Sequence, residues 1–117
     1  MPKALPVIDV SAPICCAPLG SGPMTDDDAI ELALRLKALA DPVRVRLMAL
    51  LMGADGGEMA ASDLARAVGV SGGTASHHLG QLRAAGLVAS DRRGVSILYR
   101  ALPENLEALR GVLASCC

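Results

Sequence analysis

The chain has no tryptophan, no phenylalanine and a single tyrosine, Tyr99. A core without aromatic anchors has to be assembled from Leu, Val, Ile, Ala and Met. A chain of 117 residues buries a limited core of that kind, so association with a second copy is the expected source of further buried area. Long apolar runs are also missing. The most apolar stretch, Val43 to Met52, is interrupted by Arg44 and Arg46, and nothing approaches the ~20 apolar residues of a membrane span. No charged segment followed by an apolar one opens the chain, so no signal peptide is read and the expected location is cytoplasmic, where thiols stay reduced. There is no Cys-x-x-Cys, no phosphate-cradling glycine loop and no alternation of strands with helices, which argues against an enzyme and against an organic cofactor. A global excess of basic residues is absent as well: the net charge is −1 and the pI about 6.0.

What is present is a globular composition, 52% hydrophobic and 20% charged, the balance of one folded domain and not of a disordered chain. The charge is unevenly placed. Between Ser62 and Arg100 five arginines (66, 83, 92, 93 and 100) face two aspartates, a net of +3. Between Thr25 and Asp41 five carboxylates face Arg35 and Lys37, a net of −3. One half is built to meet an anion.

Residues 1–24 hold six prolines or glycines from Pro6 onward and no periodicity, the composition of an extended arm, with Cys15-Cys16 in its middle. The folded domain is expected over residues 25–115, followed by the pair Cys116-Cys117. Thr25 with Asp28 resembles a capping box and opens a helix to about Ala40, apolar on more than one face. Asp41-Pro42, an N-cap with proline at the first helical position, opens a second that Gly53 ends. Residues 53–57 are a loop. A short helix from about Ser62 to Val68 stops at Gly69, and Ser71 caps a fourth helix that runs to about Ala85. Two helices joined by so tight a turn are a helix-turn-helix. Leu87–Ala89 and Ile97–Tyr99 then flank Asp91-Arg92-Arg93-Gly94, a hairpin with a charged tip. Pro103 opens a last amphipathic helix with Leu102, Leu106, Leu109 and Leu113 on one side. The fold expected is mainly α with a small β-hairpin, a winged helix-turn-helix of order α-α-α-α-β-β-α.

On the fourth helix Ala75, Leu79 and Leu82 fall at i, i+4 and i+7 and point inward. Ser71, Gly73, Thr74, Ser76, His77 and Gln81 are left as short or polar groups able to reach base edges or phosphates. In this motif the second helix enters the major groove, and Arg92 and Arg93 of the wing suit phosphate or the minor groove. His77 and His78 are consecutive, about 100° apart around a helix, and so do not share one ion. His78 lies toward the inside as a hydrogen-bonded histidine, and His77 faces outward.

The run Ser71-Gly-Gly-Thr-Ala-Ser-His-His-Leu-Gly-Gln-Leu-Arg-Ala-Ala-Gly-Leu-Val resembles the recognition-helix signature of the ArsR/SmtB family of metal-responsive repressors. The run Leu36-Lys-Ala-Leu-Ala-Asp-Pro-Val-Arg-Val-Arg-Leu is similar to that family's junction between its first two helices. The resemblance covers about Asp26 to Ser115. It implies a homodimer that binds palindromic operator DNA and is released by an inducer, with the first and last helices at the dimer interface. The family's arsenic site on its third helix is a Glu-Leu-Cys-Val-Cys-Asp-Leu stretch. Here the aligned residues are Glu58-Met-Ala-Ala-Ser-Asp-Leu64, with Ala60 and Ser62 in place of both cysteines. The family's zinc site on the last helix uses His, and residues 103–117 contain none. The N-terminal Cys15-Cys16 pair resembles that of actinobacterial arsenite-responsive repressors, in which a cysteine in the loop after the second helix of the other subunit completes the site. That loop has Asp55 here, which leaves Cys116 and Cys117 as the candidates to join Cys15 and Cys16. Thiolates select soft centres. The inducer this implies is trivalent arsenic or antimony, taken as arsenite, antimonite or an organoarsenical. A cadmium, lead or zinc site of four thiolates and a thiol-redox switch stay open beside it.

Overall fold

The computed structural model describes residue 19 and residues 22–114. Helix α1 spans Asp26–Leu39, α2 Pro42–Gly53, strand β1 Glu58–Ala60, α3 Ala61–Val68, α4 Gly72–Ala84, β2 Val88–Arg93, β3 Ser96–Ala101 and α5 Pro103–Leu113. A single 3-10 turn, Asp55–Gly57, joins α2 to β1.

The helix starts follow the capping chemistry. Thr25 Oγ1 accepts from the Asp28 amide (3.1 Å). One carboxylate oxygen of Asp41 accepts from Val43 N (2.8 Å) and Arg44 N (3.2 Å) ahead of Pro42. Ser71 Oγ accepts from Thr74 N (3.1 Å). Each side chain satisfies amides that the first helical turn leaves without a partner. The helix-turn-helix bend rests on Gly69, whose φ of +74° lets Val70 N return to Ala65 O (3.1 Å) in the Schellman pattern.

The hairpin is part of a larger sheet. Three antiparallel strands lie in the order β1-β3-β2, with Glu58 opposite Arg100 and Ala89 opposite Arg100 on its other side. Expecting two strands overlooked β1. The charged residues assigned to the tip are also inside β2: Arg93 pairs with Ser96, and the turn is Gly94-Val95. Gly94 has φ +65° and Val95 a negative φ, the pattern of a type II′ turn.

The main core is aliphatic, with Leu47, Leu51, Leu64, Leu79, Leu82 and Leu87 fully buried and Tyr99 beside them. A second cluster joins Leu32 of α1 to Leu109 and Val112 of α5, with Met24 packed against it. Arg35 of α1 is buried too and donates through Nη2 to Glu31 Oε1 (3.0 Å). Among the described residues no helix is long and apolar enough to cross a membrane.

Candidate nucleic-acid interface

Helix α4 buries Ala75, Leu79 and Leu82 and leaves Ser71, Gly73, Thr74, Ser76, His77 and Gln81 exposed on one side of the molecule. No acidic side chain lies among these six, and the one ring is the His77 imidazole, so the face is mostly short and hydrogen-bonding, as insertion into a groove requires. Ser71 has a second role there, since its hydroxyl donates to Thr74 Oγ1 (3.0 Å) besides capping the helix.

The helix is held in place by polar contacts from α2. Arg44 Nε donates to His78 Nδ1 (3.1 Å), and Asp41 Oδ1 lies 3.9 Å from the same nitrogen. Burial pushes the Asp41 carboxyl up, but the hydrogen bonds from the Arg44 and Val43 amides, with the charge of Arg44, outweigh it and hold the group below its ordinary value. Two residues further on, Arg46 donates to Val68 O (3.3 Å) and Ala67 O (3.4 Å). Those are carbonyls at the end of α3, where a helix presents partial negative charge. Thus Arg44 anchors one helix of the motif and Arg46 the other. Neither was singled out from the sequence as functional, although two arginines breaking an apolar run were the available signal.

At the far end of α4, Arg83 Nη1 donates to Ser90 Oγ of β2 (2.9 Å) and ties the recognition helix to the wing. The two wing arginines differ. Arg92 is exposed and makes no hydrogen bond or ion pair with a described residue. Arg93 donates through Nη1 and Nη2 to the two oxygens of Glu58 (2.9 and 3.4 Å) and through Nε to Asp91 Oδ2 (3.1 Å). The hydrogen bond to Asp91, then Glu58's bond and charge, raise its already high pKa.

The cysteines Cys15, Cys16, Cys116 and Cys117 lie outside the described residues. Within the described residues no group of three or more His, Cys, Asp or Glu is placed to hold a metal ion.

Helix-turn-helix, three-stranded wing and a polar, carboxylate-free reading face define a winged helix-turn-helix DNA-binding regulator. The family pattern described as a helix-turn-helix domain matches residues 39–91. The chain is 39% identical over 79 residues to the HTH-type transcriptional regulator NmtR of Mycobacterium tuberculosis, a match covering 68% of this chain and 63% of that protein. It is 34% identical over 85 residues to the HTH-type transcriptional regulator YgaV of Escherichia coli, covering 73% and 84%. Among solved structures it is similar to the homodimeric winged helix-turn-helix domain Mb0332 of Mycobacterium bovis, described as a possible ArsR-family regulator, at 32% identity and TM-score 0.60, covering 74% and 79%. It is also similar to a possible transcriptional regulator for arsenical resistance, at 36% identity and TM-score 0.60, covering 67% and 78%. The chain belongs to the ArsR/SmtB family of transcriptional regulators. It is a regulator and not an enzyme.

Proposed function

We propose that this regulator is a homodimeric repressor that leaves its operator when cysteine thiolates bind trivalent arsenic. In this reading α4 lies in the major groove and Ser71, Gly73, Thr74, Ser76, His77 and Gln81 meet bases and phosphates, with Arg92 and Arg93 serving the wing. A second copy covers the apolar groove of about 520 Å³ between α1, the end of α2 and α5, where Leu36, Met52 and Leu113 are left exposed.

The observation that carries the arsenic reading is the placement of the thiols. Every cysteine belongs to an adjacent pair, one before α1 and one after α5. Met24, at the entrance to α1, packs in the same cluster as Val112, at the exit of α5. Cys16 is eight residues from Met24 and Cys116 four from Val112. At ~3.3 Å per extended residue those segments reach roughly 26 and 13 Å, so chain length does not keep the pairs apart. Three thiolates suit trivalent arsenic or antimony, and two suit a monosubstituted organoarsenical.

The test is fluorescence anisotropy of labelled operator DNA with the reduced protein, titrated in parallel with arsenite, antimonite, an organoarsenical, cadmium and zinc. Release by the trivalent metalloids, lost in Cys15→Ser/Cys16→Ser with DNA binding intact, is the expected outcome. Release of that double variant by arsenite sinks the proposal. Release only by divalent metals, or only on oxidation, replaces it with a tetrathiolate or a redox sensor.

A further inference from the structure

The two wing arginines are adjacent in sequence, yet strand alternation puts them on opposite faces of the sheet. Arg92 shares its face with Val88, which is buried in the core, and with Ser90, which accepts from Arg83 of α4. Arg92 therefore stands on the recognition-helix side. Arg93 shares the outer face with Asp91, and with Leu98 and Arg100 of β3 and Glu58 of β1 through the registers Asp91↔Leu98 and Glu58↔Arg100. Its guanidinium reaches across the middle strand to the carboxylate of the opposite edge strand, taking both Glu58 oxygens while Asp91 takes Nε.

Three consequences follow from that geometry. First, two carboxylates surround one guanidinium, and with Arg100 on the same face the local charge sums to zero, so the pull of Arg93 on a phosphate is offset. Second, a fork-to-fork arginine–carboxylate pair fixes direction as well as distance, and this one bridges β1 to the turn end of β2. Third, β1 is three residues long and sits directly before α3, so the bridge refers the position of the wing tip to the first helix of the helix-turn-helix. The tip itself is Gly94-Val95, with Val95 fully exposed.

We propose that Arg93 is a positioning residue, clasped by Glu58 and Asp91 to set the angle of the wing, and that Arg92 alone of the two contacts the DNA backbone. This rests on the operator-binding reading above and divides a role that the sequence assigns to both arginines together.

The experiment measures operator affinity as a function of KCl for the wild type and for Arg92→Gln, Arg93→Gln and Glu58→Gln. Each lost phosphate contact lowers the slope of log K against log salt by about 0.9, hence by about 1.8 for Arg92→Gln in a dimer. Arg93→Gln and Glu58→Gln are expected each to weaken binding about two- to fivefold, the scale of a surface ion pair, with the slope unchanged. Their double variant should be no weaker than either, and Arg93→Lys, which keeps the charge but lacks the planar fork, should recover little of the loss. The sign for Glu58→Gln decides. If Arg93 were a phosphate ligand, removing its carboxylate partner would free it and tighten binding. Unchanged or tighter binding by Glu58→Gln, or a lowered slope for Arg93→Gln, overturns the clasp. Amide hydrogen exchange at Ser96 and Leu98, paired across the hairpin with Arg93 and Asp91, in the DNA-free protein separates this from failure of operator binding as such. Faster exchange in Arg93→Gln and Glu58→Gln, but not in Arg92→Gln, is expected, and equal exchange in all three refutes the clasp whether or not the operator is bound.

Discussion

Asn105 gives a sharp test of how α5 is fastened to the reading unit. It is 2% exposed, and its Nδ2 donates to the Gly86 carbonyl at 2.7 Å. Gly86 is the left-handed residue, φ +75°, that closes α4, with its amide on Arg83 O and the Leu87 amide on Leu82 O. The asparagine thus ties the first turn of α5 to the stop signal of the recognition helix. Replacing it by alanine leaves a buried carbonyl without this donor, a loss of about 1–3 kcal/mol. Taking about 2 kcal/mol and roughly 4 °C per kcal/mol for a chain of this size, the thermal midpoint should fall by about 8 °C. The assay is thermal and urea unfolding, each followed by circular dichroism at two protein concentrations, so that any dimer linkage is seen as a concentration dependence. Glu104→Ala, the exposed neighbour, is the reference and should stay within about 0.5 kcal/mol. If Asn105→Ala matches that reference with an unchanged denaturant slope, the bond contributes nothing net and the argument fails.

Two further predictions concern charge and backbone. The Asp41 carboxyl is held below its ordinary value by the causes given above, and Glu107 is held low chiefly by its hydrogen bond from Arg110. A depressed folded-state pKa contributes stability that is complete above the unfolded-state value and is lost as pH falls through the folded one. The urea midpoint should therefore drop on acidification below the ordinary carboxylate range. Asp41→Asn, which keeps a competent N-cap, should drop less; an identical acid profile would show that the charge is irrelevant. At the wing turn Gly94 needs positive φ, so Gly94→Ala should cost about 1 kcal/mol and weaken operator binding, whereas an unchanged midpoint would mean the turn relaxes freely.

Local signals made much of this fold legible. Asp41-Pro42, Ser71 and Pro103 mark helix starts, and Gly69 and Gly86 mark stops, because capping needs only the residues beside it. The inward triad Ala75, Leu79 and Leu82 follows from helical period alone, and the exposure of the six groups on the other side follows with it. Strand β1 was not legible. Three residues carry no period, and Glu58–Ala60 is a strand only because β3, some forty residues on, offers its edge. The tip was misplaced for a related reason: Asp91, Arg92 and Arg93 look like turn residues by charge, while the turn is set by a single glycine at the first position of a two-residue loop. The partner of Arg93 is 35 residues away, so no local pattern announces it. Buried Arg35 was hidden inside a stretch whose charges suited a solvated face.

The placement of α2 explains how, in the proposed dimer, an event at α1 and α5 would reach the DNA. Helix α1 ends at Leu39, two residues before Asp41. Asp41 caps α2 and faces His78, and Arg44 in the next turn holds the same imidazole. Arg46 grips the end of α3. The apolar side of α2, with Leu47 and Leu51 fully buried, packs in the core with Leu64 of α3 and Leu79 of α4. Helix α2 therefore carries both reading helices as one body: the apolar contacts fix their spacing, and the two arginines fix their direction. A small rotation of α1 passes through a two-residue link into that body, because a close-packed core shifts as a unit more readily than it deforms. In the proposed repressor, an arsenic ion drawing the arm before α1 toward the tail after α5 needs to favour only a different separation of two rigid readers. A coupling of about 1–3 kcal/mol is enough to lower operator affinity by roughly one to two orders of magnitude.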